Sequence, residues 1–477
     1  MSFYSLAFTI FFCVLFALWW LVPQRARTIL LACANLVFAL SLGSAGFFAL
    51  LLISALGWLF GLLVSRMSSK LGRRAVFWLG IIGLLAPLAL YKYLPLLAGH
   101  FAWASPFSQL LAPLGVSFYT FKSLACHIEV YRQNLTAIQN PVEYFAYTGY
   151  FPQLPMGPIQ RPQPFFESLK KLPRHLNTAL AFNGCTRILW GMFLKKCLAD
   201  PLSGHLDALV NPNRYYPLAM LWSLVSYCLY LYFDFASYSH LAIGLGELLS
   251  LPCAENFKSP YFARSLGDFW RRWHISLSSF LRDYVYIPLG GSRNGVPVLI
   301  LATMATFLLS GVWHGATGGF ILWGALHGVW LLIGRATKKL RDAFWSHTGR
   351  FVSGPVRSVM GWGFTMVLVS VGWFFFYAAT LPHAMELLAQ FQLPAVLTVQ
   401  YIKESIVQIG LTPSVLLQLI VFMLPAAAVD WLSRNKGFGV WSAELRPWVR
   451  VLVCYFCLFS VIFFGAAGSL PGIYFAF

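Results

Sequence analysis

The chain has 477 residues, of which 59% are hydrophobic and only 10% are charged, and its mean hydropathy is +0.69. A soluble chain of this length needs far more charge to cover its surface, so the composition excludes a soluble globular protein and predicts a polytopic membrane protein. The net charge of +19 does not indicate a nucleic-acid-binding protein, because the basic residues lie in short loops between apolar runs.

Four apolar runs of roughly spanning length occupy the N-terminal part, near residues 5–22, 28–42, 46–64 and 75–97. The first and third loops between them are basic, carrying Arg25, Arg27, Arg66, Lys70, Arg73 and Arg74, whereas the second and the one after the fourth run are uncharged. The positive-inside rule therefore predicts cytoplasmic basic loops and an N-terminus outside the cytoplasm. The first run has no charged n-region or cleavage site, so it is interpreted as a retained span.

The stretch from residue 113 to 162 is broken by prolines, at Pro113, Pro141, Pro152, Pro155, Pro158 and Pro162. Continuous spans cannot run through such spacing, and broken backbone at membrane depth is tolerated only inside protein or along a cavity. The pattern predicts short or re-entrant helices around a central chamber. In this setting Asp234 and Glu247, which lie in or near later apolar runs, are expected to hydrogen-bond inside that chamber.

Further spans are predicted near 179–198, 216–233, 237–250, 298–313, 320–334, 356–380, 413–432 and 451–470. The total is about 11–13 membrane helices in an all-α polytopic protein. No internal repeat and no long linker occurs, so residues 1–477 are interpreted as a single integral membrane domain. The absence of an inverted repeat counts mildly against a secondary transporter.

The segment from Leu266 to Tyr284 is predicted to form one amphipathic helix along a membrane surface. Its apolar arc contains Leu266, Phe269, Trp270, Trp273, Leu277, Phe280, Leu281 and Tyr284, and its polar arc Asp268, Arg271, Arg272, Ser276, Ser279 and Asp283. His274 falls at the edge of the apolar arc. It can be an interfacial packing residue or a residue of a functional site.

His314 lies near the middle of an apolar run from Val298 to Ile333, where an ionisable group is costly and therefore indicates function. Glycines flank it, and they would let a substrate approach the backbone. A neutral imidazole in such a place can act as a general base, although a structural histidine bonded to a carbonyl is the alternative. His327 is interpreted as structural.

Two interpretations fit the three arginines of this segment, Arg271, Arg272 and Arg282. They can be snorkelling interfacial charges, or they can line a cytoplasmic vestibule for a phosphate-rich ligand, and charge alone does not decide between these. With Trp313, they are the candidate residues for binding that ligand. No metal site is predicted, because the nine cysteines are scattered and the C-x-x-C at Cys454 and Cys457 has no accompanying histidines.

The C-terminal helices, 356–477, are oriented by two basic segments at 334–350 and 433–450, which are predicted to be cytoplasmic. Residues 381–410 between them hold one lysine and no arginine, and we expect an outward-facing amphipathic segment there. The C-terminus is then expected outside as well. Both termini are thus predicted to lie outside the cytoplasm.

Six motifs carry a family resemblance: PLGVSFYTFKSLACHIEVYRQ from Pro113, YFPQLPMGPIQRP from Tyr150, DFWRRWH, LRDYVYIPLGG, WHG and WGALHG. In this order and over about 113–335 they resemble the membrane-bound O-acyltransferase family. The resemblance is to its bacterial branch, which includes alginate and cellulose O-acetylation proteins. It implies His314 as the characteristic catalytic residue and His274 as the second site residue, which orients an acyl donor or stabilises an oxyanion. The ligand expected at Arg271, Arg272, Arg282 and Trp313 is then the acyl donor. Both termini are then expected to be periplasmic in a bacterial inner membrane.

The resemblance implies an acyltransferase that takes acetyl from cytoplasmic acetyl-CoA, with no bound cofactor, for O-acetylation of an exported polysaccharide, alginate or cellulose. The expected partners are a periplasmic or membrane-anchored acetyltransferase, a polysaccharide synthesis and export complex and membrane lipid, but no nucleic acid. D-alanyl transfer to teichoic acid from a carrier protein is the alternative in the same class. A non-enzymatic transporter or scaffold for polymer export is the alternative in another class.

Overall fold

The computed structural model describes residues 1–98, 101, 107, 111–251, 253–348, 353–394 and 396–466. Every regular element in these residues is helical, which confirms the predicted all-α class. The chain divides into two compact units. One comprises the described residues of Met1–Gly191 and Tyr238–Glu255, and the other those of Met192–Ser237 and Asn256–Ile473.

Eight helices in the described residues are long and apolar enough to cross a membrane, so the prediction of a polytopic membrane protein is confirmed. A ninth apolar helix, Leu6–Leu21, is shorter. The sequence count was higher partly because it separated 216–233 from 237–250, where the structure has one helix, Pro217–Leu248. Asp234 interrupts the hydropathy there, but Lys195 donates to its carboxylate at 2.7 Å, and the helix continues through it.

The first unit is built on α1 (Leu6–Leu21), α2 (Gln24–Ser41), α3 (Ser44–Arg66), α4 (Lys70–Ala98), α5 (Val116–Tyr131), α6 (Pro141–Thr148), α7 (Pro162–Lys170) and most of α8 (Thr178–Phe193). Helix α3 packs against α4 and α5, and α2 against α6. The proline-rich stretch forms short helices and a 3₁₀ turn at Phe151–Gln153, as predicted. Gly115, at φ +78°, permits the closest approach, since a Cβ there would lie 1.9 Å from the Leu154 carbonyl oxygen.

The second unit begins with a π-helical segment at Leu194–Ala199, so the predicted span 179–198 is not one regular α-helix. It continues with α9 (Asp200–Ser203), α10 (Asp207–Val210), the start of α11 (Pro217–Leu248), α12 (Leu266–Trp270), α13 (Ile275–Leu281), α14 (Gly295–His314), α15 (Gly318–Ala336), α16 (Lys338–Thr348), α17 (Gly354–Ala378), α18 (Leu381–Gln390), α19 (Val399–Gln408), α20 (Pro413–Ser433), α21 (Phe438–Glu444) and α22 (Pro447–Phe464). Shorter 3₁₀ or π segments lie at Pro212–Arg214, Pro260–Phe262 and Arg282–Tyr286.

Helices α14 and α15 form a tight hairpin, and α15 also packs against α17. Two glycines bring the hairpin's backbones together: a Cβ on Gly311 would lie 2.4 Å from the Phe320 carbonyl oxygen, and one on Gly324 would lie 2.4 Å from that of Phe307. Small residues at a helix crossing allow this close packing in membrane proteins. The hairpin is therefore a closely packed support for the residues at its turn.

The predicted continuous helix from Leu266 to Tyr284 is wrong in one respect. The structure breaks it into α12, α13 and a π segment, with His274 at φ +42° between the two α-helices. A residue in this left-handed conformation cannot continue an α-helix. Leu266, Phe269 and Leu277 on the apolar arc are buried as expected. Ser276 on the predicted polar arc is buried as well, and its hydroxyl donates to Asn256.

Candidate active site

His314 is the last residue of α14, and the chain reverses over residues 315–317 before α15 begins. The middle of the predicted apolar run is therefore the turn of the hairpin. Because α14 has 20 residues, His314 lies about 30 Å along its axis from the end near Arg293. Arg335 is at the corresponding far end of α15, so the histidine and the basic loops occupy opposite ends of the hairpin.

Aromatic rings surround the His314 imidazole, which is 6% exposed. Its ring centroid lies 4.5 Å from that of Trp313, 4.8 Å from Phe376 and 5.2 Å from Trp323. The Trp323 and Phe376 contacts are edge-to-face. These rings exclude water from most of the imidazole, so His314 lies in largely apolar surroundings.

The turn that carries His314 is fixed to the end of α17. The carbonyl oxygen of Ala379 accepts hydrogen bonds from the Gly319 N–H, at 2.8 Å, and from the Thr317 hydroxyl. Both donors belong to the start of α15 or to the residue before it. The position of the His314 backbone thus depends on two helices of its own hairpin and on a third.

His274 has polar neighbours and is fully enclosed, with 1% of its surface exposed. Its Nδ1 lies 3.0 Å from the side-chain oxygen of Asn256, which also accepts the Ser276 hydroxyl at 2.8 Å. The edge of Phe235 packs against the imidazole, with ring centroids 4.7 Å apart. Burial lowers the pKa of His274 to about 3, so the imidazole is neutral at physiological pH.

Trp313 joins the two predicted site histidines. Its ring centroid lies 6.3 Å from that of His274 and 4.5 Å from that of His314. His327 is in the same cluster, because its ring is 5.2 Å from Trp323, and its Nδ1 lies 3.3 Å from the Trp270 indole nitrogen, which donates. Residues from three motifs, His274, Trp313, His314 and His327, thus come together in the second unit.

The three candidate arginines differ. Arg272 is held by the Asp268 carboxylate at 3.0 Å and donates to the carbonyl oxygens of Lys258 and Arg434, which is a structural arrangement. The side chain of Arg271 is 73% exposed and that of Arg282 is 63% exposed, and each pairs only peripherally with a neighbouring aspartate. Arg271 and Arg282 are therefore the ones that a phosphate-bearing donor can reach without disturbing the fold.

Sequence reasoning missed several buried polar groups. In the first unit, Lys122 is 2% exposed and donates to the Gln153 side chain at 3.1 Å, which brings the first two family-like motifs together. Asn256 was also missed, because it stands between the charged residues Glu255 and Lys258, which give no sign of a buried amide. In the residues that the structure describes, no group of three or more potential metal ligands occurs.

Asp234 and Glu247, which the sequence singled out as buried hydrogen-bonding groups, are both paired. Lys195 lies 2.7 Å from Asp234 and 2.9 Å from Asp200 in the second unit. In the first unit, Glu247 accepts from Asn183 at 2.9 Å and lies 3.2 Å from Arg187. Pairing of this kind offsets the cost of burying a carboxylate, and it accounts for both residues without assigning them to the reaction.

Comparison with known proteins gives a family model described as MBOAT, membrane-bound O-acyltransferase family, which matches residues 2–376. The chain is 37% identical over 408 residues to the "Probable alginate O-acetylase AlgI" of Azotobacter vinelandii, covering 82% of this chain and 77% of that protein. It is 32% identical to the peptidoglycan O-acetyltransferase of Helicobacter pylori, over 65% of this chain and 63% of that one. It is 31% identical to the teichoic acid D-alanyltransferase of Bacillus subtilis, over 53% and 66%.

Proposed function

The chain belongs to the membrane-bound O-acyltransferase family, and we propose that it transfers acetyl groups from cytoplasmic acetyl-CoA for the O-acetylation of an exported polysaccharide. Family membership confirms the resemblance drawn from the motifs and makes the protein an O-acyltransferase, which disfavours the transporter alternative. The acetyl donor, the acceptor and their sides of the membrane are parts of the proposal.

One observation carries the proposal: His274 and His314, from motifs 40 residues apart in the sequence (314 − 274), are brought against the same Trp313 ring. A thioester and an acceptor hydroxyl must meet within about 3–3.5 Å to react, and such positioning supplies much of the rate acceleration of acyl transfer. A closely packed hairpin and a strained, hydrogen-bonded turn hold the two imidazoles.

The charge distribution supports the direction of transfer. The ends of α14 and α15 far from His314 adjoin basic segments, which the positive-inside rule assigns to the cytoplasm. The turn with His314 is then nearer the outer face, where an exported polymer or its carrier is found. The side chains of Arg271 and Arg282 are largely exposed, which suits an entrance for the phosphate groups of coenzyme A.

In the proposed step, the acceptor hydroxyl oxygen bonds to the thioester carbonyl carbon while His314 takes the hydroxyl proton. The carbon–sulfur bond then breaks, and the departing thiolate receives that proton from the imidazolium, which gives an acetyl ester and free coenzyme A. Both histidine nitrogens end the cycle as they began. No cofactor is needed for this chemistry.

The names of the relatives indicate which polymer to test first. An alginate O-acetylase is similar over most of this chain, so we propose alginate as the first polymer to test and cellulose as the second. A periplasmic or membrane-anchored acetyltransferase and the polymer export complex are proposed partners, with both chain termini periplasmic in the inner membrane. The teichoic acid D-alanyltransferase relative keeps D-alanyl transfer from a carrier protein as the second candidate.

The test is acetyl transfer from radiolabelled acetyl-CoA in membranes that contain the full chain and the polymer-forming system. We expect release of coenzyme A and label in the polymer, and loss of both in His314→Ala at equal protein level. His347→Ala, which removes an exposed histidine on α16, is the matched control. Unchanged labelling in His314→Ala refutes the catalytic assignment, and label from D-alanyl carrier but not acetyl-CoA selects the second candidate.

A further inference from the structure

We propose that Asn256 is a positioning residue for His274, and that its side-chain oxygen holds the imidazole in the tautomer with the proton on Nδ1 and an accepting lone pair on Nε2. The inference deepens the proposed acyl transfer and rests on His274 taking part in it. It assigns a direction to the hydrogen bond that His274 offers to a substrate.

The atom of Asn256 that faces His274 is the side-chain amide oxygen. The backbone N–H of Ser276 lies 3.4 Å from the Asn256 Oδ1 position and the Ser276 hydroxyl lies 2.8 Å from it. A backbone N–H can only donate, so the atom it faces is the amide oxygen and not the amide nitrogen. The orientation of the Asn256 side chain is therefore fixed by a neighbour other than the histidine.

The contact with this oxygen determines which ring nitrogen of His274 carries the hydrogen. His274 Nδ1 lies 3.0 Å from the same oxygen, and an amide oxygen can only accept. Nδ1 therefore carries a hydrogen. A neutral imidazole has one donor and one acceptor nitrogen, so Nε2 is the acceptor. With its low pKa the ring stays neutral, and an acceptor at Nε2 suits taking or orienting a hydroxyl or amide hydrogen better than stabilising an oxyanion.

The backbone supports the same arrangement. The Ile275 N–H donates to the Asn256 carbonyl oxygen at 2.9 Å, and the Lys258 N–H donates to that of Arg272 at 3.0 Å. Residues 256–258 thus run beside residues 272–275. His274 sits in this frame at φ +42°, a conformation that costs a non-glycine residue energy and that persists at functional sites when the surroundings enforce it.

The direct test is the tautomer, read from ¹⁵N NMR of the full chain with ¹⁵N-labelled histidine rings in detergent. The His274 signals are identified by their loss in His274→Gln. We expect a protonated Nδ1 and an unprotonated Nε2 in the wild type, and a shift towards the Nε2–H form in Asn256→Leu. A wild-type Nε2–H form, or an unchanged tautomer in Asn256→Leu, overturns the proposal.

The second test is the pH profile of acetyl transfer in Asn256→Asp, which keeps the shape and the accepting oxygen but adds a negative charge. The charge favours the imidazolium, so the acid limb of the profile should move to higher pH by about one unit or more. Asn35→Asp is the matched control, because Asn35 is equally buried and its Oδ1 accepts the Phe151 N–H at 2.9 Å, in the first unit. A limb that moves equally in both variants, or in neither, contradicts the proposal.

The variants also separate this inference from the proposed function. Asn256→Leu should lower the transfer rate about 10- to 100-fold, as for other groups that orient a functional histidine. Ser276→Ala, which keeps the bond between Asn256 and His274, should change it little. If His274→Gln transfers acetyl at the wild-type rate while NMR finds the Nδ1–H form, the catalytic use of His274 fails and the tautomer assignment stands.

Discussion

The two candidate site histidines, His274 and His314, have surroundings of opposite kinds. His274 is held by an amide oxygen and by a backbone turned into the left-handed region, whereas His314 continues a regular α-helix and is enclosed by aromatic rings. The imidazole of His274 is oriented by a hydrogen bond, and that of His314 is oriented by the aromatic rings packed against it. A buried imidazole can thus be fixed by polar contacts or by packing. Substitutions should show which kind of contact fixes each of the two histidines.

The largest effect is expected on the reaction. His314→Gln and His274→Gln should each slow acetyl transfer by about 10²- to 10⁴-fold, the range for a group that handles a proton or aligns a substrate. The effects of groups that act in one step are strongly non-additive. The double variant should therefore transfer acetyl no more slowly than the slower of the two single variants. Transfer rates from radiolabelled acetyl-CoA provide the measurement. A double loss equal to the product of the single losses would place the two histidines in separate steps.

The next effect concerns pH and distinguishes the polar site. The pKa of His274 is about 3 in the folded protein against an ordinary value of 6.5, so between these values only the unfolded chain binds the proton. Stability is therefore lost as the pH falls below about 6.5, by up to about 2 kcal/mol at pH 5. His274→Gln lacks this loss. The thermal unfolding midpoints of His274→Gln and the wild type are compared at pH 8 and at pH 5. The difference between them should shift in favour of the variant at pH 5, and the same comparison with His347→Gln should show no such shift.

Glycine and alanine replacements should act with opposite signs at the two positions. His274→Gly should be more stable than His274→Ala by about 1 kcal/mol, because alanine resists the left-handed backbone. His314→Gly should be less stable than His314→Ala by up to about 1 kcal/mol, because the position is helical. Thermal unfolding of the four proteins in one detergent measures both differences. The same sign at both positions would show that the backbone of His274 is not constrained as described.

The smallest effect is expected at the arginines beside His274. Arg271→Ala and Arg282→Ala should raise KM for acetyl-CoA a few-fold, since an exposed ion pair is worth up to about 1 kcal/mol, and should leave kcat unchanged. Arg272→Ala should instead lower the unfolding midpoint, because two carbonyl oxygens lose their donor. Steady-state kinetics with varied acetyl-CoA, together with thermal unfolding, separate these outcomes. A raised KM in none of the three variants would remove the arginines from the donor site.

The sequence predicted the all-α class, the apolar arc before and after His274 and the short helices between Pro113 and Pro162, because these follow from periodicity and proline positions. It did not predict the break at His274, since α-helical periodicity cannot register one residue in the left-handed region. It also separated the two halves of α11 at Asp234, because hydropathy counts a charge without its partner, and Lys195 lies 39 residues away in the chain.

The candidate site shows the same limit. The histidines and Trp313 were found because their residue types and motifs indicate chemistry. Asn256 was not, because an amide that orients a histidine is recognised only by what it contacts, 18 residues further along the chain. The role of Arg272 was left open for the same reason, since snorkelling and structural arginines have identical sequence signals until their partners are known.

The carbonyl of Ala379 gives the hairpin turn a mechanical attachment. It receives two hydrogen bonds from the start of α15, and only Thr380 separates it from α18, the first of the two helices expected to face outward. A partner that displaced α18 would therefore also displace Ala379 and the turn that holds His314. Binding at α18 would in this way change the position of the proposed general base.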